Sequence, residues 1–240
     1  MAGVYRIYPK QRKNFFGNFS ATKLIIFANV VFFIIAVILL LFVTDFFNYI
    51  ALSPINIFQG KYLWTFLTSM FMHAPGGLIP FLSFHLFINM FVLFSLGGMM
   101  ERIIGKKRFL WFYLISGLIA GLLFVFLSYF FGNTDLGARI FGSPLISAVG
   151  ASGAIFAIAG LFMVMTPKLK FMIIFLPFFS LPAYLMIPIV LFGTWLVSSS
   201  TGFPIGNTAH FGGFLCGVIY GLYLRNKYPR KVNMISKHFR

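Results

Sequence analysis

Long apolar segments constrain the fold of this chain more than any other feature of its sequence. Crossing the hydrocarbon core of a bilayer as a helix takes about 20 predominantly apolar residues. Only 9% of the 240 residues are charged, against roughly 25% in soluble domains, so these segments do not form the core of a water-soluble protein. The sequence therefore predicts an all-α membrane protein, a six-transmembrane-helix bundle. The predicted helices cover residues 24–43, 85–104, 108–131, 147–166, 183–199 and 207–224.

The basic residues predict how this bundle lies in the membrane. A net charge of +16 would suggest a nucleic-acid partner for a soluble protein, but here Lys and Arg cluster between the apolar segments. There they act as topology signals and contact anionic lipid. Of the 19 Lys and Arg residues, only Lys61 and Arg139 fall on the opposite side of the predicted bundle. We therefore expect both termini in the cytoplasm, a location in a bacterial inner membrane, and no nucleic-acid partner.

The segments outside the apolar runs complete the predicted domain organisation. Residues 1–23 and 225–240 are basic, and we expect them to be the cytoplasmic ends of one membrane domain at 24–224. The stretch 44–84 is interrupted by Pro75, Gly76, Gly77 and Pro80, so a spanning helix does not fit there, and we expect a large interfacial first loop. Residues 171–182 are expected at the inner interface, with the fifth helix starting near Pro182.

A serine between glycines and a histidine on a stripe of small residues are the candidates for chemistry. Ser152 follows Gly150 and precedes Gly153 at the start of the fourth predicted helix, and His210 lies on the sixth, in line with small residues at every fourth position. Small residues let two helices approach closely, so hydroxyl and imidazole can meet, as an activated nucleophile requires. Taken alone, such a serine more often bonds its own helix or joins two helices.

Three motifs in this order resemble the signature of the rhomboid intramembrane serine proteases. They are Gly150-Ala151-Ser152-Gly153, the pair His85 and Asn89, and Ala209-His210 followed by Gly213 and Gly217. The resemblance covers roughly residues 60–224 and implies a rhomboid-type bundle whose large first loop lies in the outer leaflet. The chain departs from the family's pattern at Trp64-Thr65, where Trp-Arg is common, and in extra residues between His73 and His85.

The predicted catalytic unit is a Ser–His dyad. His210 is the general base toward Ser152 and then the general acid toward the leaving amine, and none of the three acidic residues is placed to orient it. The N–H of Ser152, at a helix N-terminus, can face a developing oxyanion. The resemblance assigns His85 and Asn89, one helical turn apart, to the same oxyanion hole. Gly150 is expected to let the substrate backbone approach.

The remaining polar and aromatic residues are assigned structural roles. Gly153 and Phe156 are predicted to pack the fourth helix; Phe156 stands where family members often place a tyrosine against the histidine, but core packing alone is preferred. His73 is interpreted as a polar loop residue, and Glu101-Arg102 as a structural anchor at the end of the second helix. No two histidines stand at ligand spacing on one helix, so we expect neither a metal nor another cofactor.

The predicted function is that of an intramembrane serine endopeptidase that cleaves transmembrane segments of single-pass membrane proteins within the lipid bilayer. Such a substrate reaches Ser152 sideways from lipid, and the fifth helix, which has few small residues, is expected to yield. Phe192 and Trp195 are its predicted bulky contacts. Two alternatives are a catalytically inactive rhomboid-like module that binds membrane proteins, and a transporter, which would need a polar path through the apolar inner halves of the helices.

Overall fold

A computed structural model of the chain describes residues 19–76, 79, 81–173, 176–202 and 205–238. Most of the basic N-terminal segment, Gly77 and Pro80 of the predicted loop, Phe203-Pro204 and Arg240 lie outside the described residues. Within the described ranges the chain forms twelve α-helices and one pair of strands. In chain order they are α1 (Ala21–Phe42), α2 (Phe46–Ile50), α3 (Pro54–Phe58), α4 (Thr65–Thr68), α5 (Phe84–Val92), α6 (Gly98–Ile104), α7 (Lys106–Phe131), α8 (Asp135–Phe141), α9 (Ser152–Met165), β1 (Lys170–Ile173), β2 (Leu176–Pro182), α10 (Ala183–Thr201), α11 (Asn207–Lys227) and α12 (Pro229–His238).

Four helical segments of the described chain are long and apolar enough to cross a membrane. They are α1, α7, α10 and the continuous helix Phe84–Ile104, in which a π-helical segment joins α5 to α6. The sequence also predicts spans at α9 and α11. Helix α9 has only 14 residues, and four glycines with a basic last turn lower the hydropathy of the 21-residue α11. The chain is therefore a mostly helical, integral, multi-pass membrane protein.

Helix α9 begins at Ser152, so the prediction of a helix from residue 147 was wrong. Residues 147–151 are not helical, and Ala148 exchanges backbone hydrogen bonds of 3.0 and 2.9 Å with Leu52. Gly150 has φ +125°, a backbone conformation that is easy only for glycine. The apolar content of this stretch resembles that of the helix, and only its pairing with the distant segment around Leu52 makes it non-helical.

Glu101 anchors the N-terminus of α1. Its carboxylate accepts hydrogen bonds from the backbone N–H groups of Ala21 at 2.7 Å and Thr22 at 2.9 Å, and from the Thr22 hydroxyl at 2.8 Å. First-turn N–H groups have no intrahelical acceptor, and the helix dipole favours a negative charge at this end. The carboxylate thus satisfies donors that would otherwise be unpaired at a buried helix end, which agrees with the structural role predicted for Glu101.

Glycines bring α9, α7 and α11 into close contact at the centre of the molecule. A methyl group on Gly153 would lie 2.8 Å from Cβ of Ala120 on α7. A methyl group on Gly213 of α11 would overlap the carbonyl of Gly153, and one on Gly217 would overlap the carbonyl of Ala157. Real Cβ atoms do not approach other atoms so closely, so these helices pack backbone against backbone. This packing places the start of α9 against the first turns of α11.

The described part of the segment between α1 and α5 contains only short helices. Helices α2, α3 and α4 have five, five and four residues. The indole N–H of Trp64 donates to the Tyr49 carbonyl at 2.9 Å, and the Thr68 hydroxyl donates to the Ile50 carbonyl at 3.0 Å. These bonds tie α4 to α2. The side chain of Trp64 remains 56% exposed, as expected of an indole at a membrane interface.

A short hairpin separates α9 from α10, so the all-α prediction was wrong for this segment. Strands β1 and β2 are antiparallel, with Lys170 opposite Pro182 and Met172 opposite Ser180. Prolines in β2 disfavour a helix interior, and aromatic residues favour strands. Helix α10 then begins at Ala183 with Pro182 as its N-cap, where the sequence places the start of the fifth helix.

The basic C-terminal tail forms helix α12, which the sequence analysis does not predict. Val232 is buried, with 4% of its side chain exposed, and Ile235 packs against the same core. Residues three apart lie on one face of a helix, so α12 rests its apolar side on the bundle. Its basic residues belong to the run that the sequence assigns to the basic C-terminal end, residues 225–240.

Candidate active site

The side chains of Ser152 and His210 meet where α9 and α11 are packed most closely. Ser152 is the first residue of α9 and His210 lies in the first turn of α11. The Ser152 hydroxyl oxygen is 2.8 Å from Nε2 of His210, a short hydrogen bond. The structure thus brings together the two residues that the sequence selects as a nucleophile and its base. They are 58 positions apart in the chain.

The second ring nitrogen of His210 has no hydrogen-bond partner among the described residues. When the serine hydroxyl donates to Nε2, the neutral imidazole carries its proton on Nδ1. In a Ser-His-Asp triad that proton would be held by a carboxylate. Among the described residues, the His210 ring is therefore hydrogen-bonded through Nε2 alone, to Ser152. The arrangement is suited to transfer of the serine proton to Nε2 during attack on a carbonyl carbon.

Phe156 packs flat against the His210 ring. The ring centroids are 4.4 Å apart and the planes are inclined by 24°. The sequence interpretation preferred core packing alone for this residue, and the structure adds a direct contact with the imidazole. Because a phenylalanine has no hydroxyl, it can restrict the plane of the imidazole only through this contact.

Gly150 lies between Ser152 and His85. A methyl group built on Gly150 would lie 2.8 Å from Cε1 and 3.0 Å from Nε2 of His85, and 3.7 Å from the Ser152 hydroxyl oxygen. The backbone N–H of Gly150 donates to the Ser69 carbonyl at 2.8 Å. A side chain here would fill the space that His85 and Ser152 share, so glycine keeps that space open.

His85 and Asn89 lie one turn apart near the start of α5. Nδ1 of His85 accepts a hydrogen bond from the backbone N–H of Ala74 at 3.3 Å. A neutral His85 therefore carries its proton on Nε2, the nitrogen that faces Gly150. Asn89 donates one amide N–H to the His85 carbonyl at 2.8 Å and keeps its second N–H. The structure thus places Nε2 of His85 beside Gly150, where the sequence expects an oxyanion hole, and leaves Asn89 with a free amide N–H one turn further along α5.

Two residues close to this site were not assigned to it from the sequence. His73, interpreted there as a polar loop residue, is fully buried, and its Nε2 lies 3.0 Å from Oδ1 of Asn29 on α1. The His73 ring also contacts the His85 ring, with 5.1 Å between centroids. Asn29 could have been singled out, because a polar side chain within an apolar span is a functional candidate by default.

No group of three or more His, Cys, Asp or Glu side chains is arranged to hold a metal ion within the described ranges. Two histidines near Ser152 are hydrogen-bonded to other side chains instead: His210 to Ser152, and His73 to Asn29.

The sequence of this chain is similar to those of several rhomboid proteins. The sequence model of the Rhomboid domain family matches residues 60–227. The presenilin-associated rhomboid-like protein, mitochondrial, of Homo sapiens is 31% identical over 145 residues, which are 58% of this chain and 34% of that protein. RHOMBOID-like protein 4 of Arabidopsis thaliana is 30% identical over 173 residues, 70% of this chain and 36% of that protein. The chain thus spans about a third of the length of these relatives.

The rhomboid protease GlpG of Haemophilus influenzae matches over a larger share of its own length. It is 26% identical over 165 residues, which are 68% of this chain and 70% of that protein. The Rhomboid match contains Ser152, His210, His85 and Asn89 and ends at the last residue of α11. Since the match covers well over half of the sequence, this integral, multi-pass membrane protein belongs to the rhomboid family.

Proposed function

We propose that the protein is an intramembrane serine endopeptidase, which cleaves transmembrane segments of other membrane proteins with a Ser–His dyad. The observation that carries the proposal is the 2.8 Å contact between the Ser152 hydroxyl and Nε2 of His210. A hydroxyl becomes an effective nucleophile at neutral pH when an adjacent base takes its proton. Membership of the rhomboid family, and the name of the Haemophilus influenzae relative, support the same chemistry.

The dyad cleaves the peptide bond in two steps, in which an acyl-enzyme is formed and then hydrolysed. The Ser152 oxygen attacks the scissile carbonyl carbon while Nε2 of His210 takes the hydroxyl proton. The tetrahedral intermediate then breaks its C–N bond, and His210 returns the proton to the leaving amine. Water attacks the acyl-enzyme in the same way, which releases the new carboxyl group and restores Ser152. Stacking by Phe156 holds the imidazole plane during both transfers.

The negative charge on the intermediate is stabilised by donors around Gly150. Ser152 opens α9, so its backbone N–H is free of an intrahelical acceptor and lies at the positive end of the helix. His85 offers Nε2–H from the opposite side of Gly150. Asn89 adds an amide N–H one turn further along α5. Donors fixed before the reaction stabilise the developing charge without reorganisation.

We further infer that α9 and α11 cross the bilayer together with the four longer spans, which makes a six-helix rhomboid-type bundle. The 14 residues of α9 cover about 21 Å, and the non-helical residues before Ser152 take the chain to the outer surface. Ser152 then lies just below the outer membrane surface, beneath a large interfacial first loop. Both termini face the cytoplasm of a bacterial cell, and the substrates are single-pass proteins of its inner membrane.

The test is cleavage of a model transmembrane substrate by purified protein in detergent or liposomes. Ser152→Ala and His210→Ala should each abolish turnover, and the double variant should be little worse than either because the two residues act as one unit. Ser95→Ala is the matched control, since the Ser95 hydroxyl donates to the Phe91 carbonyl of its own helix at 2.9 Å.

Wild-type turnover by Ser152→Ala would disprove the proposal. Binding of the substrate by the wild type without any cleavage would identify an inactive binding module. Labelling of Ser152 by a fluorophosphonate probe, lost in His210→Ala, would show independently that the hydroxyl is activated.

A further inference from the structure

Asn29 is a polar residue in the apolar helix α1, outside the region that the Rhomboid model matches. Its side chain is fully buried. The amide Nδ2 donates to the Ile25 carbonyl of its own helix at 2.8 Å, which leaves Oδ1 as the acceptor for Nε2 of His73 at 3.0 Å. Both ends of the amide are thus hydrogen-bonded, as a buried polar group in a membrane protein requires. This leaves one orientation for the His73 ring.

His73 is neutral and lies between α1 and α5. Burial lowers its pKa to about 3, with a further contribution from His85. Because Asn29 Oδ1 can only accept, the single proton of the His73 ring is on Nε2. The ring stands edge-on to the His85 ring, at 70° with 5.1 Å between centroids, and edge-on to Phe33, at 76° with 6.4 Å. His73 therefore forms one wall of the space that holds His85.

The residue after His73 fixes His85 directly. The backbone N–H of Ala74 donates to Nδ1 of His85 at 3.3 Å. The carbonyl of Ala74 accepts from the Ser83 hydroxyl at 2.6 Å, and the same hydroxyl oxygen caps α5 by accepting from the N–H of Leu86 at 3.0 Å. The segment from His73 to Ala74 is thus held by α1 on one side and by the first turn of α5 on the other.

We propose that Asn29 and His73 are positioning residues for His85, which hold it in the tautomer and orientation that direct its Nε2–H toward the space beside Gly150. This proposal rests on the proposed proteolysis, in which that N–H stabilises the oxyanion. It extends the machinery of the site to α1. If Asn29 cannot hold His73, the Ala74 N–H shifts away from Nδ1, and the His85 ring can exchange tautomers or rotate.

A kinetic test separates positioning from general support of the fold. Asn29→Leu and His73→Phe keep the approximate shape of each side chain but remove the hydrogen bond. We expect kcat to fall by about tenfold with KM nearly unchanged, less than the roughly 10²–10³-fold cost of losing an oxyanion donor outright. His73→Gln, which keeps an N–H for Asn29, should recover part of the rate. Phe27→Leu is the control on α1, since Phe27 is 68% exposed and does not face the site.

The decisive comparison is with His85→Ala. If Asn29 and His73 act through His85, neither substitution lowers kcat further in the His85→Ala background, because residues that act as a unit are not additive. A full further tenfold loss in that background would overturn the proposal. So would a fall in thermal stability that accounts for the lost activity at the assay temperature.

A second measurement does not depend on catalysis. In protein labelled with ¹⁵N-histidine, NMR reports which ring nitrogen carries the proton, and His85→Ala identifies the signals of His85. We expect a single Nε2–H form in the wild type and mixed or altered signals in Asn29→Leu and His73→Phe. Unchanged His85 signals in both variants would overturn the positioning role even if the protein cleaves its substrate. If the NMR signals change as expected but the protein shows no cleavage that depends on Ser152, the proposed function is wrong and the positioning of His85 still stands.

Discussion

Helices α10 and α11 both pack against α9, but by different means. Helix α11 meets α9 backbone to backbone, and methyl groups at Gly213 and Gly217 would overlap carbonyls of α9. On α10, a methyl group at Gly193 would meet no described atom within 4 Å. Nothing in α10 requires such close approach, and few of its side chains are buried.

Helix α10 is attached through buried side chains in its N-terminal half, Ala183, Met186, Ile187 and Leu191, and through hydrogen bonds in its C-terminal half. The indole N–H of Trp195 donates to the Ile140 carbonyl of α8 at 2.8 Å, and the Ser199 hydroxyl lies 3.4 Å from the Arg139 carbonyl. Phe192, predicted as a bulky contact, is 60% exposed. From this difference we expect the pair α9–α11 to fix the geometry of Ser152 and His210, and a displacement of α10 to disturb that geometry less.

The largest effect should come from breaking the backbone contact beside the dyad. In Gly213→Val the new side chain overlaps the carbonyl of Gly153, one residue from Ser152, and forces α11 away from α9. A displacement of about 1 Å of reacting groups can cost about 10²-fold in rate, so we expect kcat for a model transmembrane substrate to fall at least that much. Gly193→Val, the same substitution on α10, is the control. Comparable rates for the two variants would contradict the distinction between the two helices.

A smaller effect is expected one turn further from the dyad. A methyl group in Gly217→Ala overlaps the carbonyl of Ala157 and lies 2.8 Å from the backbone nitrogen of Leu161. Overpacking of this kind costs about 1–3 kcal/mol, so the free energy of unfolding in mixed micelles should fall by that amount. The rate of cleavage should fall less than in Gly213→Val. Unchanged unfolding would show that α11 can shift there freely.

Loosening α10 should accelerate cleavage of substrates that enter from lipid. Trp195→Phe keeps an aromatic ring but loses the N–H that binds the Ile140 carbonyl, a hydrogen bond worth about 0.5–1.5 kcal/mol. We expect cleavage of a membrane-embedded substrate to rise by about two- to tenfold, and that of a short soluble peptide to change much less. Phe192→Ala alone should have little effect, because that side chain is mostly exposed. Equal acceleration of both substrates would exclude α10 as the entry point.

The smallest effect is predicted at the open glycine of α10. Gly193→Ala adds a methyl group into free space and removes the flexibility of a glycine in a helix, which favours the helix by up to about 1 kcal/mol. Thermal stability should rise slightly or stay constant, and cleavage should remain within about twofold of the wild type. A marked loss of stability would mean that α10 is packed as closely as α11.

The contact between Ser152 and His210 could be predicted because the residues that indicate it lie close together in sequence within each of the two helices. Small residues four apart on two apolar segments indicate close helix packing, and they select the faces that carry the serine and the histidine. The anchoring role of Glu101 could be predicted for a similar reason, since a carboxylate in an apolar chain needs partners.

Other features depend on contacts between distant parts of the chain. The start of α9 at Ser152 follows from the pairing of Ala148 with Leu52, and the burial of His73 follows from Asn29, 44 positions away. Neither partner has a periodic pattern that points to the other. The hairpin β1–β2 was missed for a related reason, because a short apolar run can be a strand or a buried helix.

The hydrogen bonds between the Glu101 carboxylate and the first turn of α1 affect how the protein assembles during its synthesis. The carboxylate lies 80 positions after Ala21, and a chain is made from its N-terminus. The first-turn N–H groups of α1 are therefore hydrogen-bonded to water when the first span is inserted. They pair with the Glu101 carboxylate only after the helix Phe84–Ile104 has entered the membrane. We therefore expect the start of α1 to settle in its final position only when the second span arrives, because Glu101 supplies the acceptors for Ala21 and Thr22.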